Sequence, residues 1–160
     1  MAAARADATG MIVACPSCGR PNRLPFTAAS KAARCGQCKN AVGPVGMPVE
    51  IPNSSVFDAA AAASPVPLIV DFWAAWCGPC RMVAPELERV AREHAGRFLV
   101  VKVDTDQATD LAARFRIQSI PTLAIVLHGR ELDRVAGARS AADIIAFAQR
   151  AVAEHERRAS

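Results

Sequence analysis

The chain has 160 residues, 52% of them apolar, and 34 of the apolar residues are alanine. The larger apolar side chains suffice for one core of moderate size and not for two. The formal net charge of +4 is concentrated in the first third, which carries Arg5, Arg20, Arg23, Lys31, Arg34 and Lys39 against Asp7 and Glu50. That excludes a uniformly basic nucleic-acid binder. Four of the six cysteines share the same third, so a small basic, Cys-rich head precedes a neutral body. No apolar run approaches the roughly 18 residues of a helical membrane span, and Met11–Ala14 is too short for a secretory h-region. Cytoplasmic residence is the default expectation. In a reducing compartment, closely spaced cysteines are metal ligands or catalytic thiols more often than structural disulfides.

In chain order, residues 1–11 are small and polar and read as a disordered extension, with Met11 as an alternative start. Residues 12–42 form the head, and Gly43, Pro44, Gly46 and Pro48 punctuate a mobile linker over 43–48. Val49–Ile51 is a short strand. Asn53 or Ser54 caps an Ala-rich helix over Val56–Ala63, stopped by Ser64-Pro65. Val66–Trp73 is a nearly continuous apolar run broken by Asp71, the pattern of a strand buried on both faces. A helix from Pro79 to His94 repeats Met82, Val83, Leu87, Val90 and Ala91 at helical spacing, and Pro85 kinks it. Phe98–Val103 is a second buried strand, and Gln107–Phe115 a short helix. Thr122–Leu127, a His128-Gly129 turn and Glu131–Val135 form an antiparallel hairpin. Ser140 caps a last helix to about His155. The body over 49–155 is thus an α/β domain, with helices on both faces of a mixed sheet, and 156–160 is a charged tail.

Cys77-Gly78-Pro79-Cys80 follows a buried strand and opens a helix. A helix N-terminus offers unpaired N–H groups and partial positive charge. Both stabilise a thiolate, the attacking species in disulfide exchange. Cys77, at the exposed start, is the expected nucleophile. Cys80, one turn in, is the resolving thiol, and Pro79 fits the first turn.

The segment Asp71-Phe-Trp-Ala-Ala-Trp-Cys-Gly-Pro-Cys80-Arg-Met-Val-Ala-Pro85 resembles the active-site segment of thioredoxins. The resemblance continues through Val101-Lys102-Val103-Asp104, Ser119-Ile120-Pro121-Thr122 and Val135-Ala136-Gly137, in order over about residues 49–153. It implies a thioredoxin fold, a mixed five-stranded sheet flanked by about four helices. It further implies that Asp71 is a buried proton acceptor toward Cys80, that Lys102 is its basic partner, and that Pro121 is cis and faces the Cys pair. Ile120 would then present backbone groups to substrate. Trp76, Gly78, Pro79 and Gly137 would form the rest of the substrate-binding surface, and Trp73 reads as packing. The implied reaction is reduction of protein disulfides with closure of a redox-active Cys77–Cys80 disulfide, and no organic cofactor is expected.

In the head, Cys15-Pro-Ser-Cys18 and Cys35-Gly-Gln-Cys38 are separated by sixteen residues, a zinc-binding pattern. Four thiolates at about 2.3 Å complete a tetrahedral shell and make one ion structural. Gly19 and Gly36 allow the turns. With few apolar residues of its own, the head needs the metal to fold. Two extra redox dithiols and a nucleic-acid-binding zinc ribbon are the competing readings. Phe26 is the head's single aromatic and reads as core, which argues against a nucleic-acid face. Cys15-Pro-Ser-Cys18-Gly-Arg-Pro-Asn-Arg-Leu-Pro25 resembles the first knuckle of the zinc-containing bacterial thioredoxin 2 type. That resemblance implies a zinc-ribbon-like head and re-reduction by an NADPH-dependent thioredoxin reductase. The expected protein is a monomeric electron carrier for disulfide-containing clients, contributing to redox homeostasis without a membrane partner. The alternatives are a zinc-dependent binding or chaperone-like module, and a head whose thiols release zinc on oxidation.

Overall fold

The computed structural model describes residues 4–160. Its central strand is the apolar run broken by Asp71, here β7 (Leu68–Trp73), of which Leu68 through Phe72 are buried. To place both faces of that strand out of water, the chain surrounds it with the elements expected. We number the strands β1 (Ala4–Asp7), β2 (Gly10–Ala14), β3 (Pro21–Leu24), β4 (Ala33–Arg34), β5 (Ala41–Val42), β6 (Val49–Glu50), β7, β8 (Leu99–Asp104), β9 (Thr122–Leu127) and β10 (Arg130–Ala136). The helices are α1 (Ser54–Ala63), α2 (Gly78–Glu93), α3 (Thr109–Arg114) and α4 (Ala141–Ala159).

β7 pairs in parallel with β8 and antiparallel with β9; β8 also pairs in parallel with β6, and β9 antiparallel with β10. This is the expected five-stranded mixed sheet, in the order β10-β9-β7-β8-β6. Val56, Phe57 and Ala60 of α1 and Leu111 of α3 pack with Leu68, Val70 and Phe72 on one face. Val83 and Leu87 of α2 and Ile144 and Ala148 of α4 pack with Ile69, Val100 and Leu123 on the other. Asn53 caps α1 and Ser140 caps α4, each accepting a backbone N–H from three residues on.

Two expectations about the head fail. The sheet does not stop at β6. It continues through β1, β2 and β3 to eight strands, β1 lying parallel to β6 and antiparallel to β2. Residues 4–11 are therefore not a disordered extension; Met1–Ala3 lie outside the described residues. The inward positions of β1 are Ala4 and Ala6, whose single methyl groups give almost no periodic signal in sequence. Nor is the 43–48 segment a mobile linker. Val45 is buried, and Gly46 packs against Arg92 and Ala95 at the end of α2. Gly96, just past that helix, packs against Pro44.

A third difference lies at the C-terminus. α4 runs to Ala159, so most of the expected 156–160 tail is helix. The core follows the composition argument. Met11, Val13, Leu24 and Phe26 of the head join Val49, Phe57 and Leu68 of the body in one continuous apolar cluster.

Candidate active site and metal centre

Two cysteine clusters stand at different places in the fold. The first is where β7 feeds α2. Cys77 is the N-cap of α2, and its sulfur accepts the Cys80 N–H at 3.2 Å. Cys77 and Cys80 are joined as a disulfide, with Cα atoms 5.3 Å apart. Both residues are buried, against the expectation of an exposed Cys77. Ala74, Trp73 and Ile120 pack around the pair. Gly78 and Pro79, between the cysteines, are exposed.

The loop before β9 faces this disulfide. The Ile120–Pro121 peptide bond is cis, and the Ile120 carbonyl oxygen lies 3.8 Å from Cys77 Sγ. Gly137 donates its N–H to the Pro121 carbonyl at 2.9 Å, and its φ of +96° is one that glycine adopts without strain. Cys77, Ile120, Pro121 and Gly137 thus meet just beyond the end of β7, where β9 begins and β10 ends. Trp76 stands beside them with 67% of its surface exposed, and Met82 is comparably open. The Trp76 indole N–H donates to Asp106 Oδ2 at 2.9 Å. Sequence reasoning missed Asp106; its one cue was a second acid just past the β8 motif ending in Asp104.

Asp71 is 1% exposed, and neither carboxylate oxygen has a hydrogen-bond partner among the described residues. Burial pushes its carboxyl up to about 7, against the pull of Lys102 and with the help of Glu50. Desolvation disfavours the charged form, which is the physical reason for the direction. Lys102 pairs with Asp71 in strand register, but its ammonium sits over the Trp73 ring, 4.3 Å from the centroid. It acts on Asp71 through its charge and not through a hydrogen bond. The second carboxylate in this environment, Glu50, was also missed. It sits on a two-residue strand too short to show a pattern.

The second cluster is in the head. Cys15 Sγ lies 3.6 Å from Cys38 Sγ, and Cys18 Sγ lies 3.6 Å from Cys35 Sγ. All four sulfurs fall within 4.8 Å of one another. A tetrahedron with metal–sulfur bonds of about 2.3 Å has edges of about 3.8 Å, so the four sulfurs fit around one ion. Ser17 and Gln37 turn their backbone N–H groups toward Cys15 and Cys35. The amides of Cys38 and Gln37, aided by the Asn22 carboxamide, hold the Cys35 thiol down at about 5. Backbone amides of Cys18 and Ser17 lower Cys15 as well. Such donors favour thiolates, the form that binds metal.

The turns of the two knuckles differ from expectation in one detail. Gly19 has φ +79°, but in the second knuckle the equivalent position is Lys39, at φ +67°. Gly36 serves another purpose: its N–H donates to Asn22 Oδ1 at 2.9 Å, tying the knuckles together.

Comparison with known proteins bears directly on this geometry. The thioredoxin family model matches residues 48–150, from β6 into α4 and across every active-site feature described. The chain belongs to the thioredoxin family. It is 38% identical to thioredoxin C-3 of Corynebacterium nephridii over 128 residues, which cover 80% of this chain and 86% of that protein. A match of that length in a 160-residue chain begins no later than residue 33, inside the head. It is 40% identical over 100 residues to the bifunctional thioredoxin reductase/thioredoxin of Mycobacterium leprae, covering 62% of this chain and 22% of that protein. Among solved structures, chloroplastic thioredoxin z superposes with a TM-score of 0.61 at 39% identity, covering 67% of this chain and 96% of the other. Thiol–disulfide oxidoreduction at Cys77–Cys80 is accordingly the chemistry of this fold, and the chain is a protein-disulfide reductase of the thioredoxin type. No helix among the described residues is long and apolar enough to cross a membrane.

Proposed function

We propose that this protein is a zinc-carrying thioredoxin that delivers two electrons to protein disulfides. The carrying observation is the Cys77–Cys80 pair at the N-terminus of α2, faced by the Ile120 carbonyl, with a buried Asp71 on the strand that leads into it. Cys77 thiolate, stabilised by the Cys80 amide, attacks one sulfur of the client disulfide and expels the other as thiolate. Cys80 then passes its proton to Asp71 and attacks the Cys77 sulfur. The second client sulfur leaves, and Cys77–Cys80 closes as a disulfide. An acid near 7 suits that proton transfer at neutral pH. Trp76, Gly78, Pro79, Ile120, Pro121 and Gly137 form the client-binding rim, and Lys102 tunes Asp71.

Zinc suits four thiolates in a closed tetrahedral shell. Cys15, Cys18, Cys35 and Cys38 would hold it and leave no open position, so its contribution is structural. Asn22 and the knuckle amides support the thiolates. An NADPH-dependent thioredoxin reductase restores the dithiol, a reading supported by the likeness to the bifunctional thioredoxin reductase/thioredoxin. One chain supplies both thiols, the proton acceptor and the rim, so a monomer suffices. A reducing, cytoplasmic compartment fits a dithiol carrier beside a metal-bound Cys cluster.

Reduction of insulin by the metal-loaded chain tests the reading. Turnover should fall to background in Cys77→Ser and persist in Cys35→Ser. Biological activity retained with both Cys77 and Cys80 replaced, while insulin reduction is lost, would favour the binding-module alternative.

A further inference from the structure

A row of paired strand positions joins the head to the buried carboxylate. Asp71 on β7 pairs with Lys102 on β8, Lys102 pairs with Glu50 on β6, and Glu50 pairs with Arg5 on β1. All three pairings are parallel, and directly paired residues point to the same face. Four charged side chains of alternating sign therefore cross four neighbouring strands on one face. Glu50 is half-buried. Arg5, Glu50, Trp73, Asp104 and Gln107 line one open cleft of about 460 Å³. At the inner end of the row, Lys102 leans on Trp73 and leaves both Asp71 oxygens unpartnered. β1 lies outside the residues that match the family.

We propose that Glu50 is a positioning residue for the thiol–disulfide step, competing with Asp71 for the Lys102 charge, and that Arg5 from the head holds Glu50 as the anion. The proposal rests on the reading of Asp71 as the proton acceptor. Strand spacing of about 4.8 Å puts Glu50 two spacings from Asp71 and one from Lys102. An ionised Glu50 offsets Lys102, so Asp71 keeps its proton to higher pH. A neutral residue at that position leaves the Lys102 charge wholly to Asp71. Burial raises Glu50 against the pull of Lys102, with Asp104 adding to the rise, and Glu50 in turn raises Asp71. The remaining charge on β1, Asp7, is tied to Arg23 at 2.5 Å. The buried face of α2 presents only Cys80 and apolar residues, and β9 has no titratable side chain.

The test uses the full, metal-loaded, reduced chain. Carboxyl resonances of Asp71 and Glu50 are followed by NMR against pH, beside the pH profile of insulin reduction. Glu50→Gln should lower the Asp71 midpoint by about half a pH unit, the size expected for one charge two strands away in a partly solvated site. The pH profile should move with it, and Glu50→Asp should restore both. Arg5→Gln should raise the Glu50 midpoint by a few tenths of a unit, a screened surface effect. An Asp71 midpoint unchanged in Glu50→Gln overturns the proposal, as does a Glu50 midpoint unchanged in Arg5→Gln. An Asp71→Asn chain that keeps the wild-type pH profile overturns instead the proton-acceptor reading. The Asp71 resonance in Glu50→Gln still decides the charge row in that event.

Discussion

Replacing Asp71 with asparagine should stabilise the protein, by an amount that grows with pH. In the unfolded chain this carboxyl ionises near its ordinary 3.8, whereas in the fold burial delays ionisation to about 7. Between those values the unfolded state gives up its proton first. Rising pH therefore favours unfolding, and the cost is complete above about 7. At about 1.4 kcal/mol per pH unit, the wild type should carry a penalty of about 2 kcal/mol at pH 5, rising to about 4 kcal/mol at pH 8. Asp71→Asn removes the titrating group and keeps the shape. Urea unfolding of oxidised, metal-loaded chains from pH 5 to pH 8.5 measures the gap. The metal ligands titrate identically in both chains and cancel. The variant should gain between about 2 and 3 kcal/mol on the wild type over that range, nearly all of it below about pH 7.5. Parallel stability curves would refute the reasoning, because they would mean that Asp71 ionises in the fold as it does in water.

Other consequences are equally direct. Trp76→Ala should raise KM for a protein disulfide about tenfold with kcat within about twofold; its exposed indole bond to Asp106 should cost no more than about 1 kcal/mol of stability. Gly10→Ala should destabilise by several kcal/mol, measurable by urea melting, because a Cβ there would run into the Leu24 carbonyl oxygen on β3. Elemental analysis should find one zinc per chain, and thiol titration of the reduced native protein should read two reactive thiols of the six. Chelation should expose the other four and lower stability by several kcal/mol.

The active site was legible because its chemistry sits on strong local signals. The Cys77–Cys80 spacing, the buried strand before it and the Ile120-Pro121 dipeptide each constrain the backbone, and the structure brings all three together. The features that stayed hidden were set by tertiary pairing. β1 has alanines at its inward positions, and alanine favours no period strongly. Glu50 acquires meaning only from the register of a two-residue strand against Lys102. Lys102 itself was expected at Asp71, yet its ammonium sits over the Trp73 face. The turn of the second knuckle fell to Lys39 and not to Gly36, because the left-handed position of each knuckle comes directly after its second cysteine. In the linker, the Gly and Pro residues that suggested freedom instead permit close packing against the end of α2.

The most direct measurement is a trap. With Cys80→Ser, the resolving step is lost, and the attacking sulfur should remain bonded to its client. Mass spectrometry of the metal-loaded variant, mixed with a disulfide-containing protein, should find one client chain on Cys77 and none on Cys15, Cys18, Cys35 or Cys38. A client bonded to a head cysteine, or no mixed disulfide at all, would contradict the assignment of Cys77 as the nucleophile and of the head as a closed metal site.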